Sequence, residues 1–129
     1  MIAYLDASAA VKLLVDEPES TALAEHLDAL SHDVAVVSSA LLETELRRVA
    51  VREDIEQAAV TDLISRVDLV EPSRSMFHEA GILPGRTLRA LDALHLVTAL
   101  RMEASFLLAY DGRLLDAADK MGLRTVSPA

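Results

Sequence analysis

Four carboxylates in this chain sit where acids are costly to place. Asp6 ends the apolar run Ile2-Ala3-Tyr4-Leu5, and Asp111 ends Phe106-Leu107-Leu108-Ala109-Tyr110. Asp92 is the only charged residue from Ala90 to Leu100, and Glu45 closely follows the stretch from Val34 to Leu42. A buried carboxylate must be protonated unless a cation or hydrogen bonds compensate its lost hydration. One such acid is often structural; four, each at the edge of a core element, point to a shared cation. Hard divalent ions prefer oxygen ligands, and magnesium takes one or two carboxylates while keeping several waters. Two such ions about 3.5–4 Å apart activate water and stabilise the leaving oxygen of an in-line displacement. The expected chemistry is therefore phosphodiester hydrolysis with Mg²⁺, or Mn²⁺ as a substitute, and water as the nucleophile. Each acid also has a simpler reading. Asp6 can cap a helix, Asp111 before Gly112 can be a turn residue, Asp92 can pair with Arg89 or His95, and Glu45 can be a solvated helix acid.

The elements that must position these acids follow from the pattern of apolar residues. Ile2 to Leu5 reads as a buried strand, followed by a helix from Ala9 to Val15 with Ser8 as its cap. Glu19 to Leu30 has helical spacing, and Val34 to Val37 is a second strand. Ser38 and Ser39 are cap candidates for a helix from Ala40 to about Arg52, and Asp54 for one from Ile55 to Arg66. Asp68 to Glu71 reads as a short strand and Ser73 to Ala80 as a short helix. From Thr87 to about Met102 apolar residues lie all round the axis, which predicts a central, buried helix with Asp92 in its interior. Phe106 to Tyr110 is a strand, Gly112 to Met121 a helix ended by Gly122, and Arg124 to Val126 a last strand. Strands alternating with helices predict an α/β fold, a parallel sheet of about five strands covered on both faces. Sites in such sheets form outside the carboxyl ends of the strands, where Asp6 and Asp111 are both expected.

Bulk properties bound the function. The chain has 129 residues, 52% of them hydrophobic, which suits one domain with one substantial core. No apolar run is long enough to span a membrane, and Met-Ile-Ala-Tyr-Leu-Asp has no signal-peptide pattern. With no cysteine, thiolate metal sites and a cysteine nucleophile are excluded, and a cytoplasmic protein is expected. The net charge of −9 argues against a passive nucleic-acid binder but not against a nuclease whose metal carries the positive charge. It also suits a basic protein partner. There is no dinucleotide loop, no P-loop, no nucleophile elbow and no H-E-x-x-H spacing among His26, His32, His78 and His95. Aromatic residues are only 3%, too few for base-stacking platforms.

Four segments together carry a family resemblance. YLDASAAVKLL, SSALLETELRRVAVR, LRALDALHLVTALRM and LLAYDGRLLDAADKMGL resemble, in order and spacing, the four acidic motifs of PIN domains, and the closing RTVSP resembles the last strand. Within that family the chain is most similar to the VapC-type toxins of bacterial toxin–antitoxin pairs. The resemblance spans the chain and implies one PIN-like ribonuclease domain over residues 1–129. Asp6, Glu45, Asp92 and Asp111 would then be the catalytic, metal-binding acids. It further implies an RNA substrate such as tRNA or ribosomal RNA, a cognate VapB-type antitoxin and a homodimer. Glu43 and Glu45 compete for the glutamate position. Two residues apart on a helix differ by about 200°, so both cannot face one site. Glu45-Leu46-Arg47-Arg48 fits the family pattern and Glu43 is the alternative.

Secondary candidates surround the four acids. Ser8 and Ser38 can hydrogen-bond a carboxylate or a metal-bound water, with helix capping as the alternative. His95, one turn beyond Asp92, is read as a hydrogen-bonded core histidine rather than a general acid. Asp116 is either a supporting acid or an exposed one. Arg48, Arg86, Arg89 and Arg113 lie near the acids; arginine forks grip phosphate, and ion pairs to Glu45 or Asp92 would explain Arg48 or Arg89 equally. Two rival functions remain. One is a non-catalytic PIN-like module that offers its acidic pocket to a basic peptide. The other is a receiver-like phosphoacceptor, which needs a lysine after a late strand where Lys120 instead lies deep in the last helix.

Overall fold

A computed structural model describes all residues, 1–129. Five strands form one parallel sheet: β1 (Ile2–Leu5), β2 (Ala35–Ser39), β3 (Asp68–Val70), β4 (Phe106–Leu108) and β5 (Thr125–Val126), in the order β3-β2-β1-β4-β5. The chain winds one way from β1 through β2 to β3 and then the other way from β4 to β5. The order therefore reverses between β1 and β4, and the crevice that opens there at the carboxyl edge is the place where α/β sheets bind ligands.

Seven helices cover the sheet: α1 (Ala7–Ala10), α2 (Ser20–Asp28), α3 (Leu41–Arg52), α4 (Gln57–Ile64), α5 (Arg74–Gly81), α6 (Ala90–Arg101) and α7 (Gly112–Lys120). Strand periodicity decides which face each residue serves. Ala3 and Leu5 of β1, with Phe106 and Leu108 of β4, pack on Leu23, Leu42, Leu46 and Val60 from α2, α3 and α4. The alternate residues Tyr4 and Leu107 face Leu96, Ala99, Leu114 and Ala118 of α6 and α7. Helix α5 covers the outer side of α6, with Met76 and Ala80 against Ala93, Leu94 and Val97. That wrapping is why α6 is buried continuously from Ala93 to Ala99, as its all-round apolar pattern predicts.

Several boundaries differ from the sequence expectation, each for a local reason. The first helix starts at Ala7 and tightens into a 3-10 turn at Val11–Leu13. Its cap is Asp6, not Ser8, because the extended Asp6 turns its carboxylate onto the Ser8 N–H. Ser38 and Ser39 belong to β2, and Ala40 stands at the cap of α3. Asp54 does not cap α4; it takes φ 57 just beyond α3, and Glu56 precedes α4 instead. The central helix begins at Ala90 rather than Thr87, since Arg89 is extended with ψ 160. Asp92 therefore lies in the first turn of α6, half-buried, and not in the helix interior. An acid there meets the positive end of the helix dipole. Strand β4 stops at Leu108, so Asp111 stands three residues beyond it, as the cap of α7.

Candidate active site

The carboxyl edge between β1 and β4 is stitched together by one hydroxyl. Asp6 is 2% exposed, and its N–H donates to the Leu108 carbonyl at 3.0 Å, which continues the β1–β4 ladder. Ser8 Oγ donates to Asp6 Oδ2 at 2.6 Å and accepts the Tyr110 N–H at 2.9 Å and the Asp111 N–H at 3.4 Å. The Asp6 carboxylate and the Asp111 backbone are thus tied to a single side chain. Asp6 Oδ2 is fully engaged, because it also accepts the Ser8 N–H. Its other oxygen, Oδ1, is buried with no hydrogen-bond partner. An unpartnered buried carboxylate oxygen in a crevice is a donor that fits a cation. The Asp111 side chain accepts the Arg113 N–H at 2.9 Å, so the turn-and-cap role that its sequence context allows is real.

Glu45 is held from across the sheet. His95 is fully buried, and its Nε2 lies 2.6 Å from Glu45 Oε1 while its Nδ1 lies 2.7 Å from the Tyr4 hydroxyl. Burial alone would lower the His95 pKa. The hydrogen bond to Glu45 and the charges of Asp6, Glu45 and Asp92 outweigh it and raise the pKa instead. His95 is thus the hydrogen-bonded core histidine that its position suggests, and it orients Glu45. Glu43 points elsewhere: it pairs with Arg47 at 2.9 Å on the outer side of α3. Glu45 is thus the glutamate turned toward the other acids.

Asp92 completes the set electrostatically. Its pKa is pushed up to about 6, first by burial and then by the negative charges of Asp6 and Asp111, with Glu45 adding to them. No lysine or arginine pairs with Asp6, Asp92 or Asp111. Lys12, the nearest candidate in sequence to Asp6, is engaged by Glu19 at 3.3 Å and lies over the Tyr110 ring. Acids held close enough to repel one another, with no lysine or arginine paired to Asp6, Asp92 or Asp111 and only the His95 imidazole beside Glu45, suit a hard divalent ion. The fit is by charge and by the free Asp6 oxygen. No three of the His, Asp and Glu side chains stand close enough as placed to ligate one ion directly. Waters or side-chain rotations would close the remaining gaps, in keeping with magnesium's retention of several waters.

A PIN domain family model matches residues 3–120. The chain belongs to the PIN-domain family. Ribonuclease VapC46 of Mycobacterium tuberculosis (strain ATCC 25618 / H37Rv) is 37% identical over 129 residues, which cover 98% of this chain and 97% of that protein. Ribonuclease VapC35 of the same organism (strain CDC 1551 / Oshkosh) is 38% identical over 131 residues, covering 97% and 96%. Relatives of that identity and coverage place the chain among the VapC ribonucleases of the PIN family. Two solved structures share the fold. VapBC2 from Rickettsia felis, bound to a promoter DNA fragment, matches with a TM-score of 0.77 at 16% identity over the full length of both chains. VapC20 of Mycobacterium tuberculosis, a sarcin–ricin-loop-cleaving toxin, matches with 0.76 at 13% identity over 98% and 99%. PIN-domain ribonucleases are in general divalent-metal dependent, which agrees with the donor set described above.

Within this PIN domain the remaining candidates divide clearly. Ser8 touches an acid. Ser38 does not: its Oγ is buried and donates to the Leu5 carbonyl at 2.6 Å, which fastens β2 to the end of β1. Asp116 is exposed and pairs with Lys120 at 3.0 Å, one turn on along α7. Arg48 and Arg89 make no ion pair, so the structural explanation open to them in the sequence does not hold. The residue that sequence reasoning missed is Tyr4. It reads as one more apolar strand residue, yet a tyrosine inside a fully buried strand must find a partner for its hydroxyl, and that requirement was the available signal.

Proposed function

We propose that this chain is a Mg²⁺-dependent endoribonuclease, with Mn²⁺ as a substitute, acting as the toxin of a VapBC-type pair. It would hydrolyse phosphodiester bonds of a structured RNA, tRNA or ribosomal RNA, in the cytoplasm and so stop translation. The observation that carries this reading is the buried, unpartnered Asp6 Oδ1 at the sheet's switch point, with Asp92 close enough to Asp6, Asp111 and Glu45 for their charges to raise its pKa. Relatives named as ribonucleases support RNA as the substrate, and solved VapBC complexes support an antitoxin partner. No helix is long and apolar enough to cross a membrane.

In this reading Asp6, Glu45, Asp92 and Asp111 would hold the ion and its water. When bound, a divalent ion lowers the pKa of water and neutralises charge on the phosphate oxygens. The protein's own contribution is placement. Ser8 fixes Asp6 and the Asp111 backbone. His95 fixes Glu45 through Oε1, which leaves Oε2 to accept a hydrogen bond from an attacking water. Leu13, Leu14, Leu27 and Leu63 line an uncovered apolar groove of about 460 Å³ between α2 and α4, a surface suited to an antitoxin segment. The exposed side chains of Phe77, Ile82 and Leu91 on and beside α5 suit the second copy of a homodimer.

The test is inducible expression of wild type and Asp92→Asn in a host without the antitoxin, with mapping of new RNA 5′ ends across the transcriptome. Sharp new ends in one or a few RNAs, present with wild type and absent with Asp92→Asn at equal protein level, are expected. Folded wild-type protein that produces no new ends would instead favour a non-catalytic binding module.

A further inference from the structure

An acidic chain that cuts RNA needs a place to hold a polyanion beside its acids. Two arginines without a carboxylate partner share one groove. Arg47, Arg52, Arg66 and Arg101 are each tied to a carboxylate. Arg86 and Arg113 are not, although both are exposed in a chain with an excess of nine negative charges. Arg48, Arg74, Arg89 and Arg124 are unpaired as well, and what sets Arg86 and Arg113 apart is where they stand. Both line the same groove, of about 340 Å³, between the loop from Leu83 to Leu88 and helix α7.

The groove shares α6 and α7 with the acidic crevice. Leu96 lies on its floor, and Asp92 is four residues earlier on α6, hence one turn away on the same face. Arg113, Asp116 and Lys120 line its wall at helical spacing along α7, and Asp111 caps that helix at the same end as Arg113. The single acid in the groove, Asp116, is neutralised by Lys120 at 3.0 Å. Leu83, Leu88 and Met121 complete an apolar lining. Apolar lining with guanidiniums at the rim suits a nucleotide: a base or ribose against the leucines, and a phosphate in the arginine forks.

We propose that this groove is an RNA subsite. Arg86 and Arg113 would bind the phosphodiester of a nucleotide flanking the cleaved one, and so set the register of the strand over the four acids. The assignment rests on the nuclease reading above and deepens it by naming positioning residues that contact substrate outside the acidic crevice.

The test uses fluorescein-labelled bulk tRNA and the Asp92→Asn protein, which leaves the RNA intact. Anisotropy gives Kd across a salt series for that parent, for Arg86→Gln with Arg113→Gln, and for Arg52→Gln with Arg66→Gln as a charge-matched control. Each phosphate contact adds about 0.7 to 0.9 to the slope of log Kd against log salt. The Arg86/Arg113 pair should therefore lower the slope by about 1 to 2 and weaken binding roughly tenfold at low salt. The control pair should leave both near the parent values. Arg86→Lys with Arg113→Lys, which keeps the charge, should restore most of the slope. In the otherwise wild-type enzyme, on an RNA identified by end mapping, the glutamine pair should raise KM and leave kcat within about twofold. An unchanged slope and KM, or an equal loss in the control pair, would overturn the subsite while cleavage by wild type left the nuclease reading intact. If the parent binds no tRNA and wild type produces no new RNA ends, the nuclease reading fails and the subsite fails with it.

Discussion

The two walls of the acidic crevice are built on different principles. On the wall formed by β1, α1 and α3, each carboxylate is fixed by a side-chain hydrogen bond: Asp6 by Ser8, two residues on, and Glu45 by His95 of α6, itself anchored on Tyr4. On the wall formed by α6 and α7, the acids are placed by their helices alone. Asp111 bonds only to backbone N–H groups of its own helix start, and no hydrogen bond or ion pair reaches the Asp92 carboxylate. The first wall is rigid because folding assembles it. The second carries the electrostatic cost, and Asp92, the least supported of the four, is the acid whose ionisation is most disfavoured. A site built this way has a half prepositioned by side-chain hydrogen bonds, which still leaves Asp6 Oδ1 free for a cation, and a half whose acids are placed by their helices alone.

The sharpest test of the fixed wall sets Glu45 against Glu43. Glu45→Gln keeps a side chain that can contact His95 but removes the charge, and RNA cleavage should fall about a hundredfold or more. Mn²⁺ affinity should weaken roughly tenfold by titration of the purified protein. Glu43→Gln breaks only the surface pair with Arg47 and should leave both quantities within about twofold. Equal loss in the two variants would mean that the acid turned toward the crevice is not the one that works there.

Ser8→Ala probes how much of that wall depends on one hydroxyl. The substitution removes a charge-assisted hydrogen bond to Asp6 and leaves the Tyr110 N–H without its 2.9 Å partner. Stability in urea should drop by about 2 kcal/mol. Cleavage should slow roughly tenfold, because Asp6 and the Asp111 backbone lose their common anchor. Full activity with the stability loss would confine Ser8 to the fold.

How much of this was readable in advance depends on whether a feature is local. The strands, their parallel arrangement and the burial of α6 follow from runs and periods within short windows. Asp6, Asp92 and Asp111 stand out because each interrupts an apolar context, whereas Glu45, among Glu43, Arg47 and Arg48, is singled out by the family pattern. Asp92 was nonetheless expected inside a helix that in fact begins at Ala90, because nothing in Thr87-Leu88-Arg89 marks the extended backbone of Arg89. The cap of α1 was assigned to Ser8 when Asp6 supplies it, since both are good caps and only the path of the chain after β1 decides between them. The chain of contacts from Tyr4 through His95 to Glu45 joins three distant segments, and no spacing rule connects positions 4, 45 and 95. The free state of Arg48, Arg86, Arg89 and Arg113 is equally non-local, because whether an arginine pairs depends on which acids the fold brings past it.

The smallest expected effect is the one that most directly separates the two walls. Asp92 has its pKa raised from 3.8 to about 6 in the folded protein. A carboxyl raised on folding favours the native state while protonated, below its unfolded pKa of 3.8, and that benefit is lost as pH rises through about 6. Above that range an ionised Asp92 opposes folding when no metal is present. Asp92→Asn should therefore stabilise the chelated, metal-free protein at pH 8, by about 1 kcal/mol after allowing for the screening of a half-buried group. That gain should shrink steadily through pH 6 to 4 and vanish near pH 3.5 in urea melts. The same substitution should abolish cleavage, so that stability and activity move in opposite directions at one position. Asp6→Asn gives no such trade, because Asp6 Oδ2 is already satisfied by Ser8 and serves as a helix cap. A pH-independent change for Asp92→Asn would show that the charge on the α6 wall is met within the protein, and the contrast between the walls would collapse.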